Sequence, residues 1–165
     1  MRLSTTGRYL IAILVVAWIG VLALLIGMRT GTGAETRFAT AGALERGVAA
    51  AADNNQSIVG LVPQDLYGEE WVAAAIICSF ESEQGISQNY DLDASELELG
   101  AAGVPEDTNY LLLRSADGGH AFDRINRADI DLCTVPLGQY IDARAMLPLG
   151  QTEQGGWALQ IGRAH

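Results

Sequence analysis

Asp91, Asp93 and Glu96, followed closely by Glu98, form the densest run of carboxylates in the sequence (Asp-Leu-Asp-Ala-Ser-Glu-Leu-Glu). Calcium takes about six to eight oxygen ligands, many of them carboxylate, so this run resembles the start of a calcium loop. The sharp-turn glycine of such a loop falls at its sixth position, where this sequence has Glu96. That departure favours a solvated acidic loop, and no metal site is assigned. His120 and His165 are the only histidines. His165 is the last residue of the sequence, which leaves His120 as the one histidine for general-base chemistry. It stands in a turn beside Asp117 and Asp123, where a surface role is the simpler reading. Cys78 and Cys133 are the two cysteines, 55 positions apart (133 − 78). Neither belongs to a Cys-x-x-Cys pair or a haem-attachment motif. Gly-x-Ser-x-Gly, His-Glu-x-x-His, phosphate-loop and dinucleotide signatures are also missing. With only three methionines, a copper carrier is disfavoured as well. The expectation is a protein that is not an enzyme and that takes no cofactor.

The element that must position everything else is Tyr9 to Met28, YLIAILVVAWIGVLALLIGM, which has neither charge nor proline. As a helix, rising ~1.5 Å per residue, it spans ~30 Å, the hydrocarbon thickness of a bilayer. Arg2 and Arg8 precede it and Arg29 follows, placed to snorkel to lipid headgroups. A cleaved secretory signal is the competing reading. Its core is normally only ~7–15 residues, and the best cleavage candidate here, Thr32-Gly33-Ala34, is weak. Within the span, Ala17, Gly20, Ala23 and Gly27 fall roughly on one side, with Trp18 beside them near mid-membrane. Small residues admit a second helix backbone, so this face is expected to pack on other transmembrane subunits, the alternative being that alanine and glycine are simply common in spans.

Residues 29–165 carry eight of the ten arginines and all 20 acids, a formal charge of 8 − 20 = −12. This excludes nucleic acid as a default partner. It also predicts repulsion from anionic lipid headgroups and attraction to basic protein surfaces. The positive-inside balance around the span is close to even. The sparse, even cysteine pair favours an exported domain with one disulfide, the alternative being two buried thiols in a cytosolic domain. The expected topology is therefore a cytoplasmic tail (1–8), a transmembrane helix (9–28), a membrane-proximal helical segment (29–56) and an extracytoplasmic β-rich domain (57–165) in the plasma membrane.

Local patterns fill in that outline. Thr32 and Glu35 have capping-box spacing. Phe38, Ala41, Leu44, Val48 and Ala52 then give one apolar helix face over roughly 33–52, ended by Asp53-Asn-Asn-Gln. Strand-like runs follow at Ile58–Val62, Trp71–Phe80, Tyr110–Leu113 and 157–161. Alternating stretches occur at Glu96–Leu99, Ile130–Cys133 and Ile141–Leu147. Asp117-Gly118-Gly119 reads as a hairpin turn into His120-Ala121-Phe122. The fold class expected is α+β, with a mainly antiparallel outer domain.

The basic residues are all arginine, and alanine and glycine abound, as in products of GC-rich genomes. A short arginine-only tail, one N-terminal span and an acidic two-cysteine outer domain make the chain resemble the single-span exported membrane proteins of actinobacteria. Among these are small accessory subunits of the respiratory supercomplex of a cytochrome bcc complex and an aa-type oxidase. The resemblance covers architecture and carries over no functional residue. It implies a non-catalytic accessory subunit whose partners are membrane lipid and other transmembrane subunits. The alternatives are an anchored extracytoplasmic ligand-binding or sensing module and a cell-envelope hydrolase using an acidic pair.

Overall fold

The first described helix, α1 (Ala43–Asp53), starts at Gly42, whose φ of 75° is a left-handed conformation that glycine adopts without steric cost. A computed structural model describes residues 41–135 and 137–160 of the chain. The chain divides into two units, Met1–Glu35 and Thr36–His165, and the described residues all belong to the second. The tail, the span of 9–28, its small-residue face and the capping pair Thr32/Glu35 lie outside them. Among the described residues no helix is long and apolar enough to cross a membrane. Among the described residues the expected helix over 33–52 is represented by α1, which starts at Ala43; Ala41, expected on the apolar face, lies in a turn before it and is exposed. Leu44 and Val48 are buried on its inner face, but Ala51 completes that face while Ala52 is exposed.

Eight strands build two four-stranded sheets among the described residues. The first has the order β1 (Ile58–Leu61), β7 (Leu147–Gln151), β8 (Trp157–Leu159), β5 (Ile130–Asp131). The second has the order β4 (His120–Asn126), β3 (Thr108–Ser115), β2 (Trp71–Ile77), β6 (Ile141–Asp142). All pairings are antiparallel except β5 with β8. Short helices α2 (Pro63–Tyr67) and α3 (Glu83–Tyr90) and a 3-10 turn (Ala94–Glu96) complete the described elements. The domain is thus α+β and mainly antiparallel, as its short, turn-bounded strands suggest.

Alternation along β2 and β3 divides the core in two. Ala74, Ile76, Leu111 and Leu113 face the first sheet and α1, in a cluster that includes Leu44, Leu149, Trp157 and Leu159. Ala75, Ile77, Tyr110 and Leu112 face the other way, under α3 and its following loop, with Ile86, Tyr90 and Leu97. A strand covered on both faces needs apolar residues at every position, which is why β2 and the centre of β3 read as unbroken apolar runs.

Two ties hold the sheets in register with each other. Asn109 on β3 donates through Nδ2 to the carbonyls of Ile125 and Ile130 and accepts at Oδ1 from Leu132 N–H. Its amide is wholly spent on joining β3 and β4 to β5. The second tie is covalent. Cys78, just past β2, is disulfide-bonded to Cys133, just past β5, with Cα atoms 5.7 Å apart. The pair anticipated from the sequence is therefore formed, and it bridges the two sheets. Such bonds persist in oxidising compartments, and this one points to an extracytoplasmic setting for the domain. Glu81 Oε1 accepts from Cys78 N–H, and Asp131, paired with Arg127, accepts from Cys133 N–H. In the chain-entropy model, closing a 55-residue loop stabilises by ~4 kcal/mol. Cys78→Ser combined with Cys133→Ser should lower the unfolding free energy by about that amount in urea titration. A loss under ~1 kcal/mol would show that the tie constrains little.

Candidate functional site

Asp123 sits on the inward face of β4, between Ala121 and Ile125, and is fully buried. A carboxylate taken out of water must recover its hydrogen bonds from protein donors. Two elements supply them. Tyr67, the last residue of α2, donates its hydroxyl to Oδ2 at 2.5 Å, and Gly42 donates its backbone N–H to Oδ1 at 3.0 Å. Gly42 is the N-cap of α1, so a side chain 81 residues away takes the role that the third residue of the helix fills in a capping box. The positive end of the helix dipole favours an acid there. Burial, and then the neighbouring Asp123, push the Tyr67 phenol far above its ordinary range, which keeps it a donor at every physiological pH.

The arrangement displaces a second acid. Glu45 is the third residue of α1, the position from which a capping-box glutamate reaches back to the N-cap N–H. Asp123 already holds that N–H. Glu45 Oε2 is left buried with no hydrogen-bond partner. Burial raises the Glu45 pKa from its ordinary 4.5; its own backbone N–H opposes this, Asp123 and Asp129 raise it further, and Arg46 works weakly the other way. One carboxylate is thus satisfied at the expense of the other.

Glu45 borders a cleft of about 580 Å³. One wall is α1, with Val48 beside Glu45; a second is the β4–β5 turn, with Asp129; the third is the β7–β8 turn, with Trp157 at its base. The third wall is held rigidly. Gly155 has φ of 89°, and a Cβ on Gly156 would stand 2.4 Å from the Ala128 carbonyl oxygen, so only glycine allows the two turns to approach. A second cleft of about 570 Å³ lies at the start of α3. Two of its polar side chains are committed: Ser82 Oγ accepts from Gly85 N–H, and Ser87 Oγ accepts from Ala94 N–H.

The residues singled out from the sequence fall elsewhere. Asp91 ends α3 in a left-handed conformation, and Asp93 caps the 3-10 turn by accepting from Ser95 N–H. Glu96 closes that turn. Among the described residues no group of three or more His, Cys, Asp and Glu stands close enough to hold a metal ion. His120 opens β4 opposite Arg114 and is half-buried, with Nε2 unpartnered. Burial, then Arg114, lower its pKa, while Asp91 and Glu96 act against them. Three positions from Asp123 on one strand, it faces the opposite side of the sheet, so the two form no catalytic pair. Glu45 and Asp123 are no hydrolase pair either, since Asp123 is sealed from any substrate and both its oxygens are occupied. His165 lies outside the described residues. The sequence did carry one signal for the site: the inward positions of β4 read Ala121, Asp123, Ile125, an acid where the period of two demands an apolar residue.

No protein family, no curated protein and no solved structure matches the chain.

Two outcomes follow. Tyr67→Phe removes one of two donors from a buried carboxylate and should cost ~1.5–3 kcal/mol in chemical denaturation, because bonds to charged groups lie in that range. Glu45→Gln should act in the opposite direction. A carboxyl whose pKa is raised by folding contributes stability below about 4.5 and loses it as pH rises through the folded value. The variant should therefore melt at a higher temperature than the parent at pH 7, with the gain shrinking as pH falls toward 4.5. A variant less stable at pH 7 would show that Glu45 has a partner in solution.

Proposed function

We propose that the chain is a single-pass plasma-membrane protein whose disulfide-tied outer domain is a non-catalytic binding part, an accessory subunit of a larger membrane complex. The observation that carries this reading is charge. Positions 41–160 hold 19 carboxylates against five arginines, a formal charge of 5 − 19 = −14. Three of those arginines are already paired within the domain, Arg124 with Glu98, Arg127 with Asp131 and Arg144 with Asp142. Such a surface repels anionic headgroups and attracts basic protein. The apolar run of 9–28 supplies the anchor, and its Ala17, Gly20, Ala23 and Gly27 face, with Trp18, supplies close packing against a partner helix. The respiratory bcc–oxidase supercomplex is the specific assembly proposed.

The cleft beside Glu45 favours a second reading, an anchored extracytoplasmic ligand-binding or sensing module. The two readings separate in one experiment. Under the first, the tagged chain extracted in mild detergent co-purifies with other membrane subunits, and Gly20→Leu with Gly27→Leu abolishes the association while insertion persists. At ~1 M salt, where the Debye length is about 3 Å, contacts made through the acidic domain should weaken as well. The parent chain migrating alone would overturn the accessory reading.

A further inference from the structure

The cleft between α1, the β4–β5 turn and the β7–β8 turn joins three features. It has room for a small organic group, about 580 Å³. Val48 and Trp157 give it apolar surface. Two carboxylates border it, and one of them, Glu45, has an oxygen buried without any hydrogen-bond donor. An unmet buried acceptor costs more than a satisfied one, so the site gains from any donor that reaches it. Anions are excluded by Glu45, Asp129 and the acid behind them, Asp123. A hard metal ion is disfavoured as well, since calcium needs about six oxygens or more and the cleft offers two carboxylates. A nitrogen cation on a hydrocarbon stem satisfies both requirements: its N–H groups meet the carboxylates and its methylenes lie against the apolar wall.

We propose that this cleft binds an organic cation, an ammonium or guanidinium group on an aliphatic stem, held between Glu45 and Asp129. The group is carried either by a small free amine or by a lysine or arginine side chain of another protein. The site requires an ionised Glu45. Its charge is opposed by Asp123 from β4 and Asp129 from the β4–β5 turn and assisted by Arg46 on its own helix, and Tyr67 of α2 faces the same cluster. Binding should therefore weaken as pH falls through the Glu45 titration, and a bound cation should draw that titration back toward lower pH.

The test uses the full chain in detergent micelles and calorimetric titration with n-butylguanidinium, against n-butylurea as a neutral probe of the same shape. The guanidinium should bind and the urea should not. Glu45→Gln should weaken guanidinium binding at least tenfold while raising thermal stability, a combination that simple unfolding cannot produce. Asp129→Asn, at an exposed turn, should weaken it by a smaller factor with the melting temperature unchanged. Agmatine and a short arginine-containing peptide then distinguish the two sources, tighter agmatine binding indicating a free amine and tighter peptide binding a protein side chain. Equal binding of guanidinium and urea, or undiminished binding by folded Glu45→Gln, overturns the proposal. Because the readout is binding by the isolated chain, its failure leaves the co-purification result untouched.

Discussion

Burial of the Asp123 carboxylate is the constraint on which the arrangement of the domain depends. Placed in the core with apolar neighbours Ala121 and Ile125, it has to collect donors from other elements. Those it finds, Gly42 N–H and Tyr67 Oη–H, bring the start of α1 and the end of α2 onto one strand of the second sheet. Satisfying this acid also decides where α1 begins. Gly42 takes a left-handed conformation, and its N–H points at β4 rather than into a local capping box. The consequence reaches the surface. With the capping donor taken, Glu45 is left short of partners beside a cleft, so a demand internal to the fold creates a carboxylate placed to seek a donor from outside.

The remaining ties explain why that cleft keeps its shape. Asn109 and the Cys78–Cys133 bond fix β5 and the segment after it against the second sheet. Asp129 sits in the turn just before β5, and Trp157 N–H donates to its backbone carbonyl, which joins the β7–β8 turn to the same point. The close approach of Gly156 to Ala128 completes the contact. The two walls of the cleft that do not belong to α1 are therefore part of the cross-tied region of the domain.

How much of this was legible in the sequence depends on whether a local pattern or a distant contact decides the outcome. The strands Ile58–Leu61 and Trp71–Ile77, the centre of Thr108–Ser115 and the Asp117-Gly118-Gly119 turn follow from apolar runs and turn residues, which act over a few positions. The disulfide followed from cysteine count and composition. Two alternating stretches misled. Glu96–Leu99 is a 3-10 end and loop, in which Asp93 caps the backbone and Leu97 alone is fully turned inward. Ile141–Leu147 is broken in the middle, because Asp142 accepts from the Arg144 backbone N–H in a turn and also pairs with the Arg144 guanidinium, and β6 ends there while β7 starts at Leu147. Helices α2 and α3 are too short to show a period. The site was the least legible part: Glu45, Asp123 and Asp129 come from an N-terminal helix, a late strand and its following turn, and only the inward register of β4 makes Asp123 unusual.

Asp123 holds the N-cap N–H of α1 and leaves Glu45 Oε2 without a donor. The most direct measurement is a carboxyl carbon-13 NMR titration of Glu45 in the full chain. The midpoint should lie above the ordinary 4.5, since burial and the adjacent acids act in that direction. A midpoint at or below 4.5 would mean that Glu45 has found a donor of its own, and would contradict both the capping exchange and the reading of the cleft built on it.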